Sequence, residues 1–132
     1  MQIGNAPAAW TVTLQIAAGV MGAAGVALAA VAAHAVQSPG LASAAQMMIV
    51  HAAAIVAIVA LAATSRFPRL MLAVATAMLA GALLFGTDVA LLNLAGRRLF
   101  PYAAPTGGST MIASWLALAV AGVVDLARSR DR

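Results

Sequence analysis

The ionisable side chains His34, His51 and Asp88 stand inside long apolar runs of this sequence. The two histidines are the only ones in the chain, and they flank a Ser-Pro-Gly break in AAHAVQSPGLASAAQMMIVHAA, residues 32–53. Imidazole and carboxylate groups can bind a metal ion, relay protons or form a buried hydrogen-bonded pair. Which of these roles applies depends on where the chain places each group.

The composition indicates that these groups lie in a membrane. Hydrophobic residues make up 64% of the 132 positions and charged residues only 8%, with a mean hydropathy of +1.03. A soluble domain carries about a quarter of charged residues, so this chain cannot cover a water-facing surface. We therefore expect the lipid bilayer to be its principal partner.

The charged residues argue against several classes of function. All seven cations are arginine, and they form small groups between apolar runs, whereas a nucleic-acid interface needs a basic face with aromatic residues. The absence of cysteine excludes disulfides, thiol nucleophiles and cysteine-ligated metals. Nucleic acid is therefore not an expected partner.

Four apolar segments are each long enough to cross a bilayer, which requires about 20 helical residues. They are predicted at roughly 11–35, 43–64, 70–94 and 109–127, with Ser43 as a possible cap of the second. The short connections between them favour antiparallel neighbours. The predicted fold is all-α, a four-transmembrane-helix up-down bundle that occupies residues 1–132 as a single integral membrane domain.

The arginine distribution predicts the orientation of this bundle. Four spans place the N-terminus, the second connection and the C-terminal tail on one side. That side carries Arg66, Arg69, Arg128, Arg130 and Arg132, and the other carries Arg97 and Arg98. The positive-inside rule then predicts both termini in the cytoplasm and a multi-pass protein of the cell (inner) membrane.

Small residues recur at steps of four in two of the spans. The first span has Ala18, Gly22, Val26, Ala30 and His34, and the third has Ala73, Ala77, Gly81 and Phe85. Small residues let helix backbones approach closely in lipid. Close packing inside one bundle is the simpler interpretation, and a dimerisation motif is the alternative.

Helix geometry predicts a polar cluster in the outer half of the membrane. His51 is expected about 12 Å below the outer end of the second span, and Asp88 about 10 Å below that of the third. Because an unpaired carboxylate in lipid is costly, we expect the two to face each other through a direct or water-bridged hydrogen bond. A cleft above this pair would be a ligand-binding site. Its predicted lining is Gln46, Thr106, Gly107 and Gly108, with His34 at the rim.

Other chemistry finds less support in the sequence. Met47 or Met48 could join His51 in binding copper or zinc, but His34 and His51 differ in depth by about 10 Å. That difference argues against a shared ion and against bis-histidine haem ligation. Ser109 and its neighbouring threonines have no general base fixed beside them, which argues against a hydrolase.

Four stretches resemble the small membrane family known as domain of unknown function 423. GAAGVALAAVAAHAV is similar to its first helix, QMMIVHAAAIV to its Gln-to-His second-helix motif, LFGTDVALLNLAG to its third helix, and APTGGSTMIASWLALA to its Thr-Pro-Ile-Gly-Gly stretch and fourth helix. The positions that match are His34, Gln46, His51, Pro105, Gly107, Gly108 and Trp115. Asp88 departs from the pattern, which favours serine there, and Val50 and Ala90 stand where it favours tyrosine. The resemblance implies a fold and a membrane location but no activity.

Three hypotheses of function remain open. The first is a structural, accessory or ligand-binding membrane component, acting as a homo-oligomer or within a larger membrane complex. The alternative is a small proton-coupled transporter or channel that uses Asp88 and His51, and transition-metal binding through His51 is a third hypothesis. The sequence does not indicate an enzyme and specifies no cofactor.

Overall fold

The computed structural model describes residues 8–130, with side chains for residues 8–128. It contains four long helices, of which the first ends in a π-helical turn over Ala32–Val36. They are α1 (Ala8–Val31), α2 (Pro39–Ala62), α3 (Pro68–Ala95) and α4 (Ala103–Arg130). The described residues form no strand, and each helix is long and apolar enough to cross a bilayer. The predicted all-α fold of four membrane-spanning helices is confirmed.

The second helix begins earlier than the sequence predicted. Ser38 is its cap, since the Ser38 hydroxyl accepts a hydrogen bond from the Leu41 N–H at 3.3 Å. Pro39 occupies the first helical position, where a missing N–H costs nothing and the fixed φ suits the helix. Ser43, which was predicted as the cap, lies inside the helix. The earlier start places every residue of α2 about one turn further from the beginning of its helix than predicted.

The fourth helix also begins earlier, at Ala103 rather than near residue 109. Pro105 lies in its first turn, where the backbone N–H has no intrahelical partner to lose. The preceding connection starts at Gly96, whose φ of 68° ends α3 in the left-handed conformation that glycine adopts without strain.

The helices pack in chain order, with α2 and α3 at the centre. The α1 helix packs on α2 and less extensively on α3, and α4 packs on α3, whereas the described residues show no close backbone approach of α1 to α4. The bundle is therefore open between its first and last helices. Its core contains fully buried Met21, Ile55, Leu72 and Met78.

Glycine contacts hold neighbouring helices close together. A Cβ atom on Gly107 would lie 2.6 Å from the Gly81 carbonyl oxygen, so the backbones of α3 and α4 touch at this point. On the other side of the bundle, a Cβ atom on Gly25 would lie 2.9 Å from the Ile49 side chain. The small-residue repeat of α1 serves this packing only in part, because Ala18 is buried but Val26 is 60% exposed.

Cysteine labelling tests the predicted orientation, in which both termini face the cytoplasm. The chain has no cysteine, so each introduced thiol is the only one. Gln37→Cys lies on the exposed α1–α2 connection and Ala63→Cys on the exposed end of α2. We expect a membrane-impermeant maleimide to label Gln37→Cys in intact cells and Ala63→Cys only after permeabilisation. The reverse pattern would show the opposite orientation.

Candidate functional site

Asp88 is completely buried and has two hydrogen-bond partners in the connection between α3 and α4. Its Oδ2 accepts a hydrogen bond from Arg98 Nη1 at 2.9 Å, and its Oδ1 accepts one from the Leu99 N–H at 2.8 Å. Asp88 is 0% exposed and Arg98 48%. The buried carboxylate therefore has both a countercharge and a backbone donor.

These two bonds fold the α3–α4 connection, residues 96–102, back along α3. Asp88 lies about 10 Å along the helix from the C-terminal end of α3, so Arg98 and Leu99 must turn back along α3 to reach it. The α4 helix then begins beside the middle of α3, where Gly107 lies against Gly81 and Phe85. Irregular backbone at membrane depth requires partners within the protein for its polar groups. Asp88 supplies that partner for Leu99.

A second polar contact joins the start of α2 to the end of α3. The Ser38 hydroxyl donates a hydrogen bond to Asn93 Oδ1, and Asn93 Nδ2 donates to the Val89 carbonyl oxygen at 2.8 Å. Gly40 lies against the same amide, because a Cβ there would be 3.0 Å from Asn93 Nδ2. The α1–α2 connection is thus fixed to the last turns of α3.

His51 is 5% exposed and links α2 to α4. Its Nε2 lies 3.3 Å from Trp115 Nε1 and its Nδ1 lies 2.7 Å from the Met47 carbonyl oxygen. An indole N–H can only donate, so Nε2 must accept and Nδ1 must carry the proton that is donated to Met47. The two rings meet edge-on, with centroids 6.2 Å apart. The imidazole is neutral in this arrangement, and both of its nitrogens are hydrogen-bonded.

The predicted direct hydrogen bond between His51 and Asp88 is wrong. The start of α2 lies beside the end of α3, because Gly40 contacts Asn93. His51 lies about 18 Å along α2 from that level, whereas Asp88 lies about 10 Å along α3 from it. The two groups therefore do not share a depth. Each also has other partners, since the folded-back connection brings Arg98 to Asp88 and Trp115 reaches His51.

The remaining predicted site residues lie on separate surfaces. His34 is exposed on the π-helical turn. Gln46 is exposed and lines a groove of 280 Å³ between the end of α1 and the start of α2. Thr106 lines a different groove, between α3 and α4. Gly107 is buried against α3, and Gly108 is half-buried beside open space.

The geometry favours structural roles for the buried polar groups. Among the described residues, no three His, Asp or Glu side chains lie close enough together to hold a metal ion. A metal at His51 Nε2 would have to displace the Trp115 indole. Near Ser109, the Thr110 hydroxyl donates to the Thr106 carbonyl oxygen at 2.9 Å. One turn later, the Ser114 hydroxyl donates to the Thr110 carbonyl oxygen at 2.8 Å.

Two partners were missed by reasoning from the sequence. Arg98 was considered only for the orientation of the bundle. Its position ten residues after Asp88 allows the α3–α4 connection to fold back and bring the two side chains together. Trp115 was noted only for its match to the family pattern. A buried histidine needs hydrogen-bond partners for both ring nitrogens. This requirement could have pointed to Trp115 as a donor to His51 from another helix.

The comparison with known families gives one match. A sequence model of the family described as "Protein of unknown function (DUF423)" matches residues 21–108. The chain belongs to this family. The matched region includes His51, Asp88 and the Gly81–Gly107 contact, and it ends before Trp115. No curated protein and no solved structure matches the chain.

Replacing Arg98 tests whether the ion pair anchors the α3–α4 connection. Arg98→Met leaves the Asp88 carboxylate buried without a countercharge, and we expect a loss of about 1–3 kcal/mol in the free energy of unfolding. Asp88→Asn combined with Arg98→Met removes both charges, so the double variant should recover most of the loss. Denaturant titration in detergent micelles measures all the variants, including Asp88→Asn alone. Purely additive effects of the two substitutions would contradict the coupling.

Nuclear magnetic resonance tests the state of His51. With ¹⁵N-labelled histidine, we expect His51 to be the neutral tautomer with a proton on Nδ1 and none on Nε2. Trp115→Phe removes the indole donor and should shift the Nε2 resonance while leaving that of His34 unchanged. A proton on His51 Nε2 would exclude the hydrogen bond from Trp115.

Proposed function

We propose that this protein is an accessory component of the membrane that acts through lateral association of its helices and not through catalysis. Its partner in this proposal is a second copy of the same chain, whose α1 helix enters a groove between α3 and α4. That groove has a volume of 650 Å³ and is the observation that carries the proposal. Its lining consists of small or short side chains: Ala73, Val74, Ala77, Pro105, Thr106, Ser109, Thr110, Ala113, Ser114 and Ala117.

The groove follows from the contact between α3 and α4. The two backbones touch at Gly81 and Gly107, and further along the helices Ala73, Ala77 and Ala113 are too short to fill the space beside them. Small residues are typical of helix–helix interfaces in lipid, because they allow close backbone approach. The part of this small-residue face that lines the groove can therefore pack against another helix.

The outward face of α1 has the complementary shape. Gly19, Ala23 and Ala27 follow one another at steps of four, and all three are exposed. A Cβ atom on Gly19 would meet nothing within 4 Å. This spacing forms a low ridge of the small-xxx-small type that packs against other helices in membranes.

The ridge and the groove lie at similar depths. Gly22, which precedes Ala23 of the ridge in the chain, packs against Ala52 of α2. The neighbouring residue of α2, His51, bonds to Trp115 of α4, which is level with the groove. The ridge of one copy and the groove of the next would therefore meet when both copies have the same orientation in the membrane.

The proposed contact is heterologous, since it joins two different surfaces. The described parts of α1 and α4 do not approach each other within one chain, so a chain does not fill its own groove. Heterologous contacts produce rings when the rotation closes. We therefore propose a ring of several copies.

The transporter alternative has less support. Both Asp88 oxygens accept hydrogen bonds from the α3–α4 connection, and both His51 nitrogens are bonded. Proton exchange at either group would break a contact that positions α4. For location, the arginine distribution supports the inner membrane with both termini in the cytoplasm.

Disulfide crosslinking in membranes tests the proposed contact. Ala23→Cys lies on the ridge and Ala113→Cys in the groove, and the chain has no other cysteine. We expect the double variant to give dimers and higher species on mild oxidation, because each copy offers one thiol to each neighbour. The matched control pairs Ala23→Cys with Val120→Cys, an exposed α4 residue outside the groove.

A bulky substitution gives an independent measurement of the same contact. Ala113→Leu fills the groove and should convert the oligomer to monomer in native mass spectrometry from mild detergent. Leu116→Phe, on the exposed part of α4 away from the groove, should leave it intact. A wild-type protein that is monomeric in detergent and gives no crosslink in membranes would refute the proposal.

A further inference from the structure

A further pocket lies at the end of the bundle opposite to the α1–α2 connection, where the α2–α3 connection meets the last turns of α4. Its volume is 270 Å³. The connection contributes Thr64 and Ser65, and α4 contributes Gly122 and Asp125. Because Thr64 and Ser65 directly follow a helix that crosses the membrane, the pocket lies at the level of the lipid headgroups.

Asp125 makes this pocket unusual in the described part of the chain. The Asp125 Oδ1 atom is buried, and no hydrogen-bond donor among the described residues reaches it. Leaving a buried carboxylate oxygen unpaired is costly, and the half-buried Asp125 also lines the pocket. The fully buried Asp88, by contrast, has a partner on each oxygen.

The neighbouring arginine does not supply that donor. Arg128 lies one turn after Asp125 on α4, but its guanidinium carbon stands 5.5 Å from the centre of the Phe67 ring. Within the described residues an ion pair forms between Arg98 and Asp88, and none forms between Arg128 and Asp125. Asp125 thus faces the pocket while a positive charge remains beside it.

The rest of the lining indicates what could bind there. The Ser65 hydroxyl oxygen accepts the Phe67 N–H at 3.1 Å and the Thr64 hydroxyl donates to the Leu61 carbonyl at 3.3 Å, so both oxygens keep a lone pair to offer. The other walls are apolar and include Met71 and Leu118. One carboxylate and two hydroxyl oxygens match the three N–H donors of a primary ammonium group.

We propose that this pocket binds a primary ammonium group, supplied by the headgroup of an aminophospholipid. The ammonium donates hydrogen bonds to Asp125, Ser65 and Thr64, and the adjoining phosphate lies toward Arg128, which gives a zwitterionic headgroup an opposite charge at each end. The pocket is far larger than a bare ion needs and is shaped for a small organic group. This site is independent of the groove between α3 and α4.

Native mass spectrometry of the full chain tests the proposal. The delipidated protein is mixed with phosphatidylethanolamine or with phosphatidylcholine of the same acyl chains, whose quaternary ammonium has no N–H donor. We expect phosphatidylethanolamine to bind about tenfold more tightly or better, from the loss of a hydrogen bond to a charged group in the other lipid. Asp125→Asn should abolish this preference.

A second pair of variants separates binding from folding. Gly122→Val places a side chain in the pocket mouth, where a Cβ would meet nothing within 4 Å, and should also weaken phosphatidylethanolamine binding. Ala119→Val, an exposed α4 position outside the pocket, should leave it unchanged.

Free ethanolamine distinguishes the source of the ammonium group. Ethanolamine binding that depends on Asp125, without a preference between the lipids, supports the ammonium site and identifies a free amine as its ligand. Equal binding of the two lipids, with no Asp125-dependent binding of ethanolamine, overturns the proposal.

Discussion

The interaction on which the rest of the structure depends is the one between the Asp88 carboxylate and the connection that follows α3. A buried carboxylate cannot remain unpaired in lipid, and an irregular backbone segment at that depth cannot leave its N–H groups unpaired. Arg98 of the connection gives the carboxylate a countercharge, and the carboxylate accepts the hydrogen bond of the Leu99 N–H. These two contacts fix the point at which α4 starts and the level at which α4 meets α3.

The early start of α4 has consequences for the surface of the protein. It brings Gly107 against Gly81, and the close contact leaves the alanines further along α3 and α4 facing an open groove. Because α4 packs on α3 and stays apart from α1, this groove faces the bilayer. A bundle closed between its first and last helices would have covered part of this surface.

Several polar groups in this protein join separate helices or connections. The indole N–H of Trp115 fixes the tautomer of His51 and connects α4 to α2, and Ser38 connects the α1–α2 turn to Asn93 on α3. Each of these groups has its partner within the chain, as the cost of burying unpaired polar groups in lipid requires. Asp125 differs because its buried oxygen has no such partner among the described residues. Asp125 also lines the pocket at the end of α4, where the proposed ligand would bind.

The sequence alone determined the four apolar helices, their order and the distance of Asp88 from the end of its helix, since these follow from hydropathy, length and the fixed rise of a helix. It did not determine the partner of Asp88. Helix periodicity constrains positions within one span, but it says nothing about whether a connection arches outward or folds back. The start of α2 shows the same limit: a shift of about one turn, decided by Ser38 and Pro39, moved His51 away from Asp88 and toward Trp115. Only the tertiary structure could decide these pairings, because they depend on how separate helices are placed along one another.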